Sequence, residues 1–391
     1  MFSKKHLVIT AISTAAIVLF LYSMLIVGYM AEGIKGNPVT RARNIIHNYY
    51  VNHLTDEDIE RLDDAAIDAM VQELADPYSR YLDMEELTAY EESKEEDYVG
   101  AGMQVLFDPE KETMTVVIPY DNSPAQRAGI LTGDEIIEVN DIKVSLDTYE
   151  DILNQVGGKD AKAGDVVKIK LLRKGIKEPV EIELKKEHVD IQTVTFKKID
   201  DIGYVRVTEF INRTEEEFRA AIETLKDMEV KSVIIDLRNN PGGYAHTVIS
   251  MCDMLLPEGV IAYLEDSSGK REYFHSDEEE LGLPMAILTN GHTASASELL
   301  AGSVQAYGLG TIVGEKSYGK AVGQTLYSLS ADTALYMTNA RYFTPKGECI
   351  DGQGIIPDIE VKLSDEKLSR LSFLDTEEDD QLIAAIEFLT E

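Results

Sequence analysis

The 391-residue chain has no tryptophan and two cysteines, and its 37 Lys and Arg are outnumbered by 71 Asp and Glu, a net charge of −34. Scarcity of basic residues argues against a nucleic-acid partner, because phosphate binding needs clustered Lys and Arg. It also argues against adhesion to anionic lipid through a basic patch. Long-range repulsion keeps such a chain soluble and makes its stability salt-dependent. Cys252 and Cys349 lie far apart with no CxxC spacing. They read as two free thiols, with one disulfide as the alternative outside the cytoplasm. The seven histidines, His6, His47, His53, His188, His246, His275 and His292, form no HExxH or other metal pattern, so no zinc site is expected, and the serine chemistry described below needs no cofactor. There is no GxSxG, no internal repeat and no low-complexity tract.

What is present points to several domains, since a chain of this length exceeds one compact core. Lys4, Lys5 and His6 precede an uncharged run from Leu7 to Met30. More than 20 apolar residues suffice to span a bilayer, whereas signal-peptide cores run to about 7–15. No small-x-small cleavage site follows. Residues 7–30 are therefore expected to be a single membrane helix. Residues 1–6 would lie in the cytoplasm and the rest of the chain on the extracytoplasmic side of the cell membrane. A cleaved signal and a secreted body is the alternative.

Residues 38–95 read as a helical region. Thr55 and Asp58 suit a cap for a helix whose apolar positions Ile59, Leu62, Ala66, Ile67, Met70, Val71 and Leu74 recur at three and four, and Asp76-Pro77 ends it. A homodimer interface and simple capping of the core are its two candidate roles. The charged EESKEED (91–97) reads as an exposed junction. From 96 to 189 the pattern changes to strands, with Val167, Ile169 and Leu171, then Val180, Ile182 and Leu184, alternating with polar residues. From 190 to 391 strand-like runs such as GYVRVTEF (203–210), VIIDLRNN (233–240) and PMAILTN (284–290) alternate with helical ones. That succession predicts an α/β domain with functional loops at strand ends.

At GHTASASELL (291–300) a strand hands over to a helix. Ser295 and Glu298 fit a capping box, and Ser295 also suits a nucleophile at a helix N-terminus, where developing negative charge is favoured. His292 is too near in sequence to act as its base and reads as a loop residue. Ser317 and Lys320 form an SxxK string, but glycines surround it and neither SDN nor KTG accompanies it. Lys320 is the remaining base for Ser295. A lysine accepts a proton only when neutral, so its ordinary pKa of about 10.4 must be brought near 7, at about 1.4 kcal/mol per unit. Gln324 can orient the amine without adding charge. Four residues of straight strand span about 13 Å, so Gly323 must allow a bend.

Two stretches resemble known families. SPAQRAGILTGDEIIEVN (123–140), with Val99-Gly100-Ala101-Gly102-Met103 upstream, resembles a PDZ domain. That implies a loop of backbone N–H groups at Gly100, Ala101, Gly102 and Met103 for a peptide carboxylate, and strand addition beside it. ILTNGHTASASELLAGSVQAYGLGTIVGEKSYGKAVGQ (287–324) is similar to the signature of the carboxyl-terminal processing peptidases, the tail-specific serine proteases. DLRNNPGG (236–243), ARYFTPKGECIDGQGIIPDIEV (340–361) and DPYSRYLDMEEL (76–87) match further segments of that family, and the likeness runs from about residue 40 to 361 in the expected order. One departure is Ala321-Val322-Gly323 where many members carry glycine-serine.

The resemblance implies a mixed α/β chain: a crotonase-like serine protease core with an inserted β-rich PDZ domain, after an N-terminal helical region and membrane helix. It makes Ser295 the nucleophile, Lys320 the base and Gln324 its partner. The N–H of Ala296, with that of Gly242 or Gly243, would form the oxyanion hole. The expected partners are protein substrates with free C-terminal tails, and the expected activity is endopeptidase cleavage in processing, quality control or signalling. A non-catalytic PDZ scaffold and a penicillin-interacting serine hydrolase are the alternatives.

Overall fold

A computed structural model describes residues 37–391 apart from 93–96, 109–110, 121, 159–160, 191, 370 and 372–373. The expected membrane helix at 7–30 lies outside the described residues. Among the described residues no helix is long and apolar enough to cross a membrane. Two compact units divide between Asp83 and Met84.

The first unit contains the helices Pro38–Tyr49 and Asp56–Gln72. Thr55 caps the second as its sequence predicts. The Asp58 N–H donates to Thr55 Oγ1 at 3.1 Å and the Thr55 N–H to Asp58 Oδ2 at 3.0 Å, so two orphan donors of the first turn are satisfied reciprocally. Ile59 and Val71 are buried, while Leu62, Met70 and Leu74 of the same apolar set stay exposed.

In the second unit, residues 97–190 form a β-rich domain. A six-stranded sheet is built from Met103–Asp108, Thr113–Pro119, Glu135–Val139, Ile142–Lys143, Val166–Leu172 and Val180–Lys185. The alternation read from the sequence holds: Val167, Ile169 and Leu171 are fully buried and their neighbours Val166 and Leu172 are exposed, as a half-buried pleated strand requires. Ser123 caps the short helix Pro124–Arg127, and Gly133 supplies a positive φ of 83° before the strand Glu135–Val139. Met103–Asp108 is an edge strand paired with Thr113–Pro119. Phe107 stacks on Tyr149 at 4.8 Å, which sets the helix Tyr149–Val156 beside that strand.

The α/β domain is organised on a second sheet. Val194–Ile199 runs antiparallel to Ile202–Val207, and Ile202–Val207, Ser232–Asp236, Met285–Thr289, Gly310–Gly314 and Ile359–Glu360 are mutually parallel. Strands buried on both faces must be apolar at consecutive positions, and VIID and AILT are. Val233, Ile235 and Ile287 join a core with Phe218, Val248, Met251 and Leu300 from three helices. Ile234, Ala286 and Leu288 face the opposite way, onto Leu382 and Ala385 of the C-terminal helix Asp380–Thr390. Each such side chain contributes roughly 1.5–3 kcal/mol on burial. Both cysteines are free, Cys252 within the first of these cores.

The C-terminal helix is also held by charge. Arg238 is buried, and its guanidinium donates to Asp236 at 2.9 and 2.6 Å, to Asp379 at 2.9 and 2.7 Å, and to Gln381 Oε1 at 3.0 Å. Asp379 at the same time caps the helix, accepting from the Leu382 N–H at 3.1 Å. Burial works to raise the Asp236 pKa, but the adjacent Arg238 outweighs it and holds the carboxyl below its usual range. Removing one partner from a buried ion pair strands the other charge, at a cost of about 3–5 kcal/mol. Asp379→Ala is therefore expected to lower the urea unfolding free energy by about that amount. A loss below about 1 kcal/mol would show that the guanidinium does not depend on this contact.

Candidate active site

The parallel strands end in loops on the same side of their sheet, and three of those loops carry the predicted protease residues. Ser232–Asp236 leads to Asn239, Asn240, Gly242 and Gly243. Met285–Thr289 leads to Ser295, and Gly310–Gly314 leads to Lys320. Placement of sites beyond the carboxyl ends of such strands is the rule for open α/β sheets.

Asparagines stitch the first two loops together. The Asn239 N–H donates to Asn290 Oδ1 at 3.0 Å, and Asn290 Nδ2 returns a bond to Asn239 Oδ1 at 2.7 Å. The carbonyl of Asn240 accepts from the Ala294 N–H and from Ser297 Oγ, both at 3.0 Å. Ser297 is thus a buried strut.

Ser295 stands at the start of the helix Ala296–Tyr307 with φ 56° and ψ −119°. Ordinary N-cap residues adopt extended backbone. A non-glycine residue held in this sparsely populated region costs about 1–3 kcal/mol and persists only where its surroundings enforce it. The enforcement comes from Glu298, fully buried one turn into the helix. Its Oε2 accepts the Ser295 N–H at 2.9 Å and the Lys320 N–H at 2.8 Å. Its Oε1 accepts the Gly319 N–H at 2.7 Å and Ser317 Oγ at 2.5 Å. On the other side, the Tyr342 hydroxyl donates to the carbonyls of Ser295 at 3.0 Å and Lys320 at 3.1 Å. Burial, with Glu298 nearby, pushes the Tyr342 pKa above its ordinary value, so the hydroxyl keeps its proton and remains a donor.

Ser295, Ala296, Gly243, Lys320 and Gln324 line one cleft of about 700 Å³. Its other wall comes from antiparallel strands that include Gly259–Asp266, Val322–Ser328 and Ala334–Phe343. The register between Val322–Ser328 and Ala334–Phe343 shifts between Gly323 and Gln324, where the sequence requires a bend. Gln324 Nε2 is buried there and has no hydrogen-bond partner among the described residues. His292 does not line the cleft and sits in an exposed turn.

The glycine turn discriminates between the two expected donors. The Gly242 N–H is taken by Asn240 Oδ1 at 2.9 Å. A Cβ on Gly242, whose φ is 110°, would come within 2.8 Å of Ser295 Cβ and 3.0 Å of the Ala296 nitrogen. Gly242 thus lets the turn approach the serine, while Gly243 is the turn residue that lines the cleft. Ala296, at the first helical position, carries one of the N–H groups that a helix leaves without an intrahelical partner.

Gly100 to Met103 lie in the β-rich domain and do not line this cleft. Gly100 ends the strand Asp97–Gly100 and Met103 begins the edge strand. The Ala101 N–H is already bonded to the Val156 carbonyl at 2.9 Å. Glu298 was visible in the sequence only as half of a capping box. Its bonds to the lysine loop had no local signal, and neither did Tyr342, which the sequence shows only inside the matching segment ARYFTPKG.

Glu298→Gln turns an amide NH₂ toward donors that need an acceptor, and each buried donor left unpaired costs about 1–3 kcal/mol. The variant is expected to lose at least about 100-fold in kcat with KM within a few-fold. Steady-state kinetics on a peptide substrate would read this. Full kcat in the variant would mean that the clamp does not position the site.

Comparison with known proteins agrees with this architecture. The profile described as Peptidase family S41 matches residues 201–361, a PDZ domain profile matches 100–184, and the profile "Activating protease CtpB N-terminal domain" matches 31–86. A carboxy-terminal-processing protease of Bartonella bacilliformis is 32% identical over 359 residues, 88% of this chain and 80% of that protein. The carboxy-terminal processing protease CtpA of Bacillus subtilis is 29% identical, over 94% of this chain and 78% of its own. Among solved structures, a photosystem II D1 C-terminal processing protease superposes with a TM-score of 0.67 at 26% identity, over 89% of this chain and 92% of that one.

Proposed function

The chain belongs to peptidase family S41, the carboxyl-terminal processing serine proteases, and from that premise we propose a Ser-Lys endopeptidase that selects substrates by their C-terminal tails. The observation that carries this reading is the cleft that Ser295 and Lys320 both line, their backbones held by the same carboxylate and the same tyrosine hydroxyl.

In this reading the neutral Lys320 amine takes the Ser295 Oγ proton while Oγ attacks the scissile carbonyl carbon. The oxyanion is stabilised by the N–H groups of Gly243 and Ala296, a preorganised pair that costs no reorganisation during reaction. Lys320 then passes the proton to the leaving amine, and water attacks the acyl-serine to release the second product. Gln324 orients the lysine amine. We assign the oxyanion role to Gly243 rather than Gly242 because the Gly242 N–H is already bonded.

The PDZ domain supplies selection. The free edge of Met103–Asp108 would receive the substrate's tail as an added strand, with its carboxylate at the loop 100–103. Crotonase-like topology of the protease core, anchoring through residues 7–30 with the catalytic part outside the cytoplasm, and a homodimer built on the helical region complete the proposal. Nothing in the cleft favours a penicillin-interacting hydrolase, since Ser317 is spent on Glu298 and on the Ile355 N–H at 2.6 Å.

The test uses the full chain in detergent with an unstructured protein substrate carrying either a free apolar C-terminus or an amidated one. Wild type is expected to cut the free-tail substrate faster, and Ser295→Ala and Lys320→Ala are expected to lose at least about 1,000-fold in rate. Equal cutting by all three proteins would rule out the dyad.

A further inference from the structure

The cleft that holds Ser295 is not chemically uniform. The part of its wall that differs is the hairpin of Gly259–Asp266 and Arg271–Ser276. Successive side chains of a strand point to opposite faces. Here Ala262, Leu264 and Phe274 line the cleft, while Tyr263 and Tyr273 meet on the outer face at 5.0 Å. Charge divides between the faces in the same way. On the outer face Arg271 Nε lies 2.6 Å from Glu265 Oε2, so each neutralises the other. On the cleft face stand Asp266, Lys270 and Glu272.

Lys270 belongs to Asp266. The Asp266 N–H donates to the Lys270 carbonyl, and Asp266 Oδ1 accepts the Lys270 N–H, both at 3.1 Å. The Lys270 charge also acts on that carboxylate. Ser268 adds bonds to the same oxygen at 2.8 and 2.6 Å. Glu272 has no such companion. Among the described residues its carboxylate forms no ion pair, and it is exposed on the outermost strand of the sheet.

Register fixes how far that charge lies from the chemistry. Glu272 is paired with Leu264, and Leu264 on its other side with Tyr342. The Tyr342 hydroxyl bonds the carbonyls of Ser295 and Lys320. Neighbouring strands lie about 4.8 Å apart, so Glu272 is two strands, or about 10 Å, from the residue that clamps the dyad. Extended peptide advances about 3.3 Å per residue. A substrate side chain that meets Glu272 therefore belongs to a residue within about three of the scissile bond. Of the three residues in this row, only Glu272 is charged.

We propose that Glu272 is a specificity-determining residue, which favours substrates with Lys or Arg within three residues of the scissile bond and disfavours Asp or Glu there. This rests on the assignment of Ser295 and Lys320 given above. A substrate cation beside an unpaired carboxylate is bound in the ground and transition states alike, so the preference falls on KM and on kcat/KM. The net charge of −34 attracts cations as well. That long-range effect would weaken equally if one charge were removed from either face of the hairpin.

The experiment uses the full chain in detergent and fluorogenic peptides that share one free apolar tail and one cut bond, mapped by mass spectrometry. Each residue up to three on either side of that bond is replaced in turn by Lys, Gln or Glu, and kcat/KM is measured. At one position or more, wild type is expected to prefer Lys over Gln by about fivefold, the size of a partly exposed ion pair, and Gln over Glu. Raising the salt from about 50 mM to about 500 mM should bring that ratio toward one. Glu272→Gln is expected to abolish the Lys-to-Gln ratio, and Glu272→Lys to invert it. Glu265→Gln, which changes the net charge by the same amount from the outer face, should keep the wild-type ratio.

A wild type indifferent to charge at every position overturns the proposal. So does a preference that survives in Glu272→Gln or falls equally in Glu265→Gln. A wild type that cuts none of the peptides overturns the protease reading and this assignment with it. Cutting by Ser295→Ala with the same preference for Lys upholds Glu272 and locates the error in the dyad.

Discussion

The carboxylate of Glu298 is the constraint around which the site is built. It accepts four hydrogen bonds, from a serine that opens a helix and from three residues of a loop reached by a different strand. Without it, Ser295 would have no reason to stay at φ 56°, and the chain bearing Lys320 would have no fixed distance from it. A buried acceptor of this kind is costly to bring into a protein interior and costly to leave unmatched. The local sequence responds by surrounding it with donors: the backbone of Gly319 and Lys320 and the hydroxyl of Ser317. The Tyr342 hydroxyl closes the arrangement from the carbonyl side. Ser295 and Lys320 are thus located by their backbones, and both residues line the cleft.

The surrounding fold makes this economical. Parallel strands deliver three loops to one edge, and the loops are then bonded to each other by Asn239, Asn240, Asn290 and Ser297 rather than to solvent. Gly242 is where the turn comes against the serine, because even a methyl group there would meet it. Membership in the tail-specific protease family, expected from the sequence, is borne out by the comparisons, and the strand and helix spans around the cleft follow the predicted patterns closely.

What the sequence disclosed was what repeats at short range or recurs as a string. Alternation revealed Val167, Ile169 and Leu171 as one buried face, and continuous apolar runs revealed the strands buried on both sides. Ser295 and Lys320 emerged because the family signature spans both. Contacts between distant positions leave no such trace. Arg238 meets Asp379 across 141 positions, and the Ser317 hydroxyl meets Glu298 from a string that resembled a different catalytic motif. Exposure was also hidden, since the periodic apolar set on Asp56–Gln72 predicts a helix equally well whether or not Leu62, Met70 and Leu74 find cover.

The double duty of Asp379 has a bearing on biosynthesis. The residue that starts the last helix is also the counter-ion for the arginine that precedes the glycine turn. A nascent chain that has not yet delivered residue 379 holds an arginine in its core with half its neutralising charge missing, beside a sheet face that Leu382 and Ala385 have not covered. The loop that carries the glycine turn therefore depends for its charge balance on the docking of the helix Asp380–Thr390, far along the chain from the cleft it shapes.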